Sequence, residues 1–305
     1  MNRVAQFCEY GDPDVVGVVE TPAPTPGPGQ LRLAVRAASV NPIDWKTVAG
    51  LMRDQIPLRL PAGVGTDVAG VIDEVGSDVS GFSVGDEVLG SSATPSFADY
   101  ALAEPASLVR KPADVSWEVA GSLAAAGATA YAALNKLGIQ TGETLLIHAA
   151  TGGVGTFAVQ LAVARGLRVI GTASKSNHEY LRSVGAVPVS YGAGLLERVR
   201  SLAPQGVDAV LDASGRGEIP LSIELTGNPE RVLTLVALDA ADTGIQVLIG
   251  GAGSDLGDGL RELVTLLEQG RLTVPIWHTY RLVEIATALK ESSAGHVAGK
   301  IVVLP

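Results

Sequence analysis

The stretch LIHAATGGVG, residues 146–155, decides the fold class of this chain. It follows a short aliphatic run at 144–148 and precedes an apolar, helix-like pattern at 156–165. In a glycine-rich turn between a buried strand and a helix, the missing side chains let a pyrophosphate approach the backbone. The helix N-terminus presents free N–H groups and the positive end of its dipole. The stretch therefore has the form of a dinucleotide-binding fingerprint.

The turn departs from the usual G-x-G-x-x-G pattern at its first place, where Ala150 stands. A tight turn with no ligand is the alternative interpretation of such a stretch when it stands alone. The strands and helices predicted around it favour a binding role. The predicted contacts are the residues of the turn, Thr151, Gly152, Gly153, Val154 and Gly155.

Around this turn, from about residue 116 to residue 271, short aliphatic runs alternate with helical patterns, which predicts a doubly wound parallel sheet. Predicted strands lie at 144–148, 167–172, 187–190, 208–212 and 231–236, with a further one at 243–251. Predicted helices lie at 156–165, 177–185, 195–203, 219–226 and 256–269.

The first 115 residues are dense in Gly, Pro and Val, with short β-type runs at 30–40, 70–75 and 87–89 that turn-forming residues separate. The tail, 272–305, returns to this texture, with strands at 274–280 and 300–304 and a helix at 283–291. The chain is therefore predicted to be an α/β protein of two domains. Residues 1–115, completed by 272–305, form a mainly antiparallel β domain, and residues 116–271 form a nucleotide domain.

The charge balance disfavours several classes of partner. The 305 residues include 22 Lys and Arg against 32 Asp and Glu, a net charge of −10, which opposes nucleic acids and anionic membranes. The single cysteine, Cys8, allows no intramolecular disulfide and no four-cysteine zinc lobe. Charged residues among the first 16 positions do not fit a signal peptide, so a cytoplasmic location is expected.

The residues after the second predicted strand of the nucleotide domain bear on the choice of cofactor. Sites that prefer NAD place Asp or Glu there to hold the ribose 2′-hydroxyl. Here the sequence is Ser174-Lys175-Ser176-Asn177, with no acid. Hydroxyl and ammonium groups suit a 2′-phosphate, so we predict NADP(H), with contacts from Ser174, Lys175 and Asn177. A solvated loop lysine without a ligand is the alternative for Lys175.

Seven blocks along nearly the whole chain resemble the quinone-oxidoreductase-like (zeta-crystallin-like) branch of the medium-chain dehydrogenase/reductases. They are NPID at 41–44, GTDVAGV at 65–71, GDEV at 85–88, SFADY at 96–100, ATAY at 128–131, GGVG at 152–155 and GKIV at 299–302. The resemblance implies a GroES-like β domain joined to a Rossmann domain. It also implies NADPH as cofactor, a quinone or enone as substrate, and a homodimer through nucleotide-domain edge strands, here 245–249.

The resemblance also implies further cofactor contacts by position. These are Thr129, Tyr191, Ser214, Leu238, Gly250, Gly251 and Ala252. Zinc-dependent relatives use a Cys and a Gly-His-Glu run as metal ligands, where this chain has Asn41 and Gly65-Thr66-Asp67. No metal site is therefore expected. Hydride delivery to an electron-poor quinone or enone needs less help than alcohol oxidation does.

The candidate catalytic residues are Asn41, Asp44 and Lys46, since in the resembling family the first two border the nicotinamide and the substrate. Lys46 stands where many members have Tyr, and a lysine occurs in this motif of plant enone and alkenone reductases. We predict that Lys46 donates a hydrogen bond or proton to the substrate carbonyl and that Asp44 orients it if the segment bends. A surface lysine beside a structural aspartate is the alternative.

Two other functions remain open at this point. One is a zinc-free carbonyl or alcohol dehydrogenase. The other is a non-catalytic NADP(H)-binding protein with sensory or structural work.

Overall fold

The chain folds into two compact units, seen in a computed structural model that describes residues 1–249 and 256–305, without the side chains of 238, 239 and 241. The first unit comprises Met1–Ala125, Leu256–Glu268 and Val274–Pro305. The second comprises Ala126–Asp255 and Gln269–Thr273.

The strands are β1 Asn2–Phe7, β2 Gly17–Thr21, β3 Leu31–Val40, β4 Ala62–Gly63, β5 Asp67–Val75, β6 Glu87–Ser91, β7 Tyr100–Ala103, β8 Leu108–Arg110, β9 Thr144–His148, β10 Arg168–Ala173, β11 Val187–Ser190, β12 Ala209–Asp212, β13 Val232–Thr234, β14 Gln246–Val247, β15 Ile276–Arg281 and β16 Lys300–Leu304. The helices are α1 Pro42–Val48, α2 Trp117–Ala120, α3 Ala124–Leu137, α4 Gly153–Ala164, α5 His178–Ser183, α6 Leu195–Leu202, α7 Ile219–Thr226, α8 Leu256–Glu268 and α9 Ile285–Ala294.

The first unit is built on antiparallel pairing. Its larger sheet has the order β15-β16-β3-β5-β6-β8, with β7 also on β3, and a smaller sheet has the order β2-β1-β4. Only β15 and β16 pair in parallel there. The long strand β3 turns alternate side chains inward, so that Leu31 and Leu33 join Phe7, Ile72 and Phe97 in the core. The predicted mainly antiparallel β fold is confirmed, and the tail strands β15 and β16 lie in the larger sheet.

The second unit is a six-stranded sheet of order β11-β10-β9-β12-β13-β14 with every neighbouring pair parallel. Helices connect the successive strands, as parallel pairing requires. The order reverses beside β9, and in open sheets of this kind ligands bind at the carboxyl ends of the strands near that reversal. The predicted doubly wound sheet is confirmed.

Two segments lie elsewhere than the predicted division suggests. Residues 116–125 and helix α8 belong to the first unit. Helix α8 packs beside β8 and the turn Pro105–Ser107, with Leu260 and Leu263 buried. An amphipathic pattern shows that a helix buries one stripe, but it does not say against which neighbour. Of the strand predicted at 243–251, the described part, 243–249, pairs with β13 at Gln246–Val247.

Candidate cofactor and active site

The glycine turn is fixed to the neighbouring strand β10. The amide of Ala150 donates to the Thr172 carbonyl at 3.0 Å, and the amide of Ala149 donates to the Thr172 hydroxyl at 3.1 Å. Ala149 has a φ of 54°, and the amide of Gly152 closes the turn onto its carbonyl at 3.0 Å. The chain then enters α4 at Gly153. These hydrogen bonds hold the turn in place.

Two glycines near the turn allow close packing that a side chain would block. A Cβ at Gly155 would lie 2.1 Å from the Ala149 carbonyl oxygen, and one at Gly171 would lie 2.7 Å from the Ala150 Cβ. Ala150 fits at the first glycine place because its methyl group packs on Gly171. The first amides of α4, at Gly153, Val154 and Gly155, have no acceptor within the helix. Free amides at the start of a helix can bind an anion such as a pyrophosphate.

The loop after β10 presents a cation and hydroxyl groups. Lys175 is exposed, and its ammonium makes no hydrogen bond or ion pair within the part of the chain that the structure describes. The hydroxyls of Ser174 and Ser176 are 2.9 Å apart, and the Asn177 amide donates to the Thr151 hydroxyl at 3.3 Å. The loop is therefore joined to the glycine turn. It carries no acid that would compete with a 2′-phosphate.

Other predicted contacts follow the next strands at the same carboxyl edge. Tyr191 follows β11 and is 48% exposed. Ser214 follows β12, where its amide donates to Asp212 Oδ1 at 2.9 Å and its hydroxyl donates to Glu218 Oε2 at 2.6 Å. Parallel strands end at one edge of the sheet, so these residues share that edge with the turn.

The remaining predicted contacts are placed differently. Thr129 lies half-buried within α3. Leu238 begins the 3₁₀ helix Leu238–Thr243, and its side chain is outside the description. Gly250, Gly251 and Ala252 lie outside the described residues.

A buried histidine beneath the turn was not predicted as part of the site. The His148 Nε2 is 3.1 Å from the Ser222 hydroxyl, and its Nδ1 has no partner in the described part of the chain. Burial lowers the pKa of His148, so the ring is neutral at physiological pH. A neutral His148 adds no positive charge at the turn, so the positive potential there comes from the backbone amides. The residue type alone gave no signal, because a histidine at the end of a buried strand is most often part of the core.

In the first unit, a buried polar cluster lies beneath α1. The Lys300 ammonium donates to Asn41 Oδ1 at 2.6 Å and is 3.8 Å from Asp67 Oδ2. The Asn41 amide nitrogen and the Ser39 hydroxyl donate to Asp67 Oδ2 at 2.9 and 2.6 Å. Asp44 Oδ2 accepts the Asn41 amide hydrogen at 2.7 Å. The side chain of Asn41 is thus engaged inside the protein.

Burial sets the protonation of this cluster. It raises the pKa of Asp44 to about 7, despite the amide that donates to the carboxyl group, and it lowers the pKa of Lys300. The nearby Asp67 carboxylate also raises the pKa of Asp44, while Lys300 lowers it. One ammonium among two carboxyl groups therefore favours a proton on Asp44 near neutral pH.

The predicted orientation of Lys46 by Asp44 is wrong. The segment forms helix α1, in which residues two apart point about 200° away from each other. Asp44 faces inward to Asn41, whereas Lys46 is half-buried and makes no ion pair with a described residue. Its ammonium lies 5.8 Å from the centre of the Trp45 ring.

No described helix has the length and apolar character needed to cross a bilayer.

A doubly wound sheet with a glycine turn, on one chain with an antiparallel β unit, defines a dinucleotide-binding class of α/β protein. Residues 27–166 match the family model described as the alcohol dehydrogenase GroES-like domain, and residues 185–303 match one described as zinc-binding dehydrogenase. The chain is similar to the chloroplastic quinone-oxidoreductase of Triphysaria versicolor, with 32% identity over 99% of this chain and 98% of that protein.

Two further similarities are informative. The 2-methylene-furan-3-one reductase of Solanum lycopersicum is 30% identical over 98% of this chain and 78% of that protein. The crystal structure of Escherichia coli quinone oxidoreductase complexed with NADPH has a TM-score of 0.87 and 26% identity, and covers 100% of both chains. The chain belongs to the quinone-oxidoreductase branch of the medium-chain dehydrogenase/reductase superfamily.

The donor atoms beneath α1 do not fit the zinc ion that one family description names. The resemblance aligns Asn41 and the run Gly65-Thr66-Asp67 with the metal ligands of zinc-dependent relatives, and here Asn41 Oδ1 accepts a hydrogen bond from the Lys300 ammonium. Across residues 1–249 and 256–305, no group of three or more His, Cys, Asp and Glu side chains is arranged to hold a metal ion. Zinc sites in proteins draw on Cys and His ligands, which this cluster lacks.

Proposed function

We propose that this chain is an NADPH-dependent reductase that transfers hydride, without zinc, to a quinone or to the activated C=C bond of an α,β-unsaturated carbonyl. One observation carries the proposal. The glycine turn is joined to a loop that offers, in place of an acid, hydroxyl groups and Lys175, whose ammonium has no ion-pair partner among the described residues. The relatives named as quinone oxidoreductases and as a furanone reductase support the substrate classes.

In this proposal the second unit binds the cofactor. The amides of Gly153, Val154 and Gly155 bind the pyrophosphate, while Lys175, with Ser174 and Asn177, binds the 2′-phosphate. Thr129, Thr151, Gly152, Tyr191, Ser214, Leu238, Gly250, Gly251 and Ala252 complete the proposed contacts. When bound, NADPH supplies the hydride. The protein aligns it and keeps the adenosine end fixed.

Lys46 is the proposed proton or hydrogen-bond donor to the carbonyl oxygen of the substrate. Its ammonium makes no ion pair within residues 1–249 and 256–305, so it can stabilise the negative charge that develops on that oxygen as hydride arrives. Asn41 and Asp44 act as positioning residues in this proposal, because their side chains hold the start of α1. Lys46→Met is expected to lower kcat/KM by about a hundredfold or more, since general acid catalysis contributes factors of about 10² to 10⁴.

Three further statements belong to the proposal. The chain divides by function into a catalytic domain at 1–115 and 272–305 and a nucleotide domain at 116–271. It works as a homodimer through the edge strand predicted at 245–249, whose described part includes β14 at one end of the strand order, because an edge strand can pair with a second copy. It works in the cytoplasm.

The test measures NADPH and NADH oxidation against quinones, enones, aldehydes and simple ketones. We expect turnover of quinones or enones with NADPH. Lys175→Ala should raise the Kd of NADPH while leaving that of NADH unchanged. Arg182→Ala, which removes a cation from the neighbouring helix α5, is the matched control. Turnover confined to aldehydes and ketones would indicate a carbonyl reductase, and tight NADPH binding without any oxidation would indicate a sensor. A preference for NADH would refute the proposed cofactor.

A further inference from the structure

Arg53, which the sequence analysis did not select, lies beside the end of helix α1 that carries Lys46. A Cβ at Gly50 would lie 2.6 Å from the Arg53 Nε and 3.0 Å from its Cζ, so the guanidinium packs on the backbone of Gly50. Gly50 follows Lys46 by four residues, which is about one helical turn, or a rise of about 6 Å. The side chains of Lys46 and Arg53 are therefore neighbouring cations at the end of α1.

The guanidinium of Arg53 is held in place by an aromatic ring. Its Cζ lies 4.0 Å from the centre of the Tyr10 ring, within the range of a cation–π contact. Tyr10 packs in turn on the buried Phe7, with the ring centres 5.7 Å apart. The amide of Gly11 donates to the Val48 carbonyl at 3.0 Å, which fixes this segment to α1. The ring therefore keeps the guanidinium at the end of α1, although Arg53 is exposed.

The N–H donors of Arg53 have no acceptor in the part of the chain that the structure describes. A guanidinium has several such donors in a fixed planar fork. Its side chain makes no hydrogen bond or ion pair with any residue in 1–249 or 256–305. The last four carbonyls of α1, at 45–48, do not need these donors. Each already accepts a backbone amide, in turn from Ala49, Leu51, Gly50 and Gly11. Arg53 is therefore not a cap of the helix.

The charges around Arg53 differ from those around other arginines of the first unit. Arg3, Arg32 and Arg110 each bind an aspartate at 2.7 or 2.8 Å. The chain has a net charge of −10, so acids are plentiful, yet no described acid pairs with Lys46 or with Arg53. Like charges one helical turn apart repel each other, and an anion bound there removes the repulsion. The two cations thus form a local positive site on an acidic chain.

We propose that Arg53 binds a carboxylate of the substrate, so that the preferred substrates are quinones or enones with an acidic side chain. The proposal rests on the proposed function, because it takes Lys46 to contact the substrate carbonyl. The guanidinium donates two parallel hydrogen bonds to the carboxylate, a geometry that suits its planar fork. A substrate that reaches from Lys46 to Arg53 has its carbonyl and carboxylate on the order of 6–10 Å apart. The carboxylate takes no part in hydride transfer.

The test compares initial rates of NADPH oxidation with 6-oxohept-4-enoate and with its methyl ester, at constant ionic strength. The two enones differ only in a charge that is remote from the C=C bond, so their intrinsic reactivity toward hydride is similar. We expect kcat/KM for the acid to exceed that for the ester by about tenfold or more, because a hydrogen bond to a charged group contributes such a factor. The difference should lie in KM, since the contact is the same before and during hydride transfer.

Arg53→Gln should bring the ratio of the two kcat/KM values close to one. Arg59→Gln is the matched control, because Arg59 is an exposed arginine of the same loop with no hydrogen bond or ion pair to a described residue. It should keep the preference for the acid.

Three results would overturn the carboxylate site. They are an unchanged ratio in Arg53→Gln, an equal fall of the ratio in Arg59→Gln, and a parallel fall of both rates in Arg53→Gln, which would mean that Arg53 only holds the loop. If the unaltered chain reduces the ester at least as well as the acid, the carboxylate site is also refuted, while the proposed function stands. If it reduces neither of them and no other quinone or enone, the proposed function itself fails.

Discussion

Replacement of Lys300 by Met tests whether the cluster beneath α1 is held together by its buried ammonium. Lys300 is 2% exposed and Asp67 is fully buried, and the ammonium lies 2.6 Å from Asn41 Oδ1. Met has a similar length and no charge, so the change leaves Asp67 without its cation and Asn41 Oδ1 without a donor. Removing one partner of a buried ion pair costs about 3–5 kcal/mol, because the other charge remains desolvated. We expect a loss of that size.

The assay is urea unfolding followed by tryptophan fluorescence. The chain has three tryptophans, Trp45, Trp117 and Trp277, and all of them lie in the first unit, so the signal reports on that unit. Lys290→Met is the control, because Lys290 pairs with Asp14 at a similar 2.6 Å but with side chains 50% and 70% exposed. That exposed pair should contribute about 0–1 kcal/mol. Equal losses in the two variants would refute the reasoning that burial decides the effect.

Two further changes have expected outcomes. Because the folded pKa of Asp44 is raised to about 7, the folded state holds a proton that the unfolded state releases, so the stability that Asp44 contributes is lost as pH rises from about 4 to about 7. Asp44→Asn should flatten this part of the pH profile in urea unfolding, and an unchanged profile would contradict the assignment. Gly155→Ala places a methyl group 2.1 Å from the Ala149 carbonyl oxygen, which should cost about 1–3 kcal/mol of stability and weaken NADPH and NADH alike. Unchanged dissociation constants for NADPH and NADH, with an unchanged Tm, would show that the turn can shift to accommodate the methyl group at no cost.

The sequence predicted the regular elements of the second unit well, because its central strands are buried on both faces and therefore form continuous aliphatic runs. The strands at 144–148 and 187–190 and the helix at 219–226 have their predicted bounds. Hydrophobic periodicity is a local pattern, because it depends on residues that are close together in the sequence.

The contacts of the site were harder to predict because they join distant residues. Lys300 and Asn41 are 259 positions apart, so no local pattern could show that the oxygen of Asn41 accepts the ammonium. The direction of Asp44 depends on α1 being a regular helix rather than a bend.

The position of β16 has a consequence for the order in which the molecule can be made. This strand lies in the interior of the larger sheet, between β15 and β3, yet it comes about 260 residues after β3 in the chain. During synthesis β3 therefore cannot pair with β16 until the end of the chain has been made. The strands of the parallel sheet, which come from the middle of the chain, are all available earlier. On the ribosome, the first unit is the first to be started, but its larger sheet can be completed only after β16 has been made.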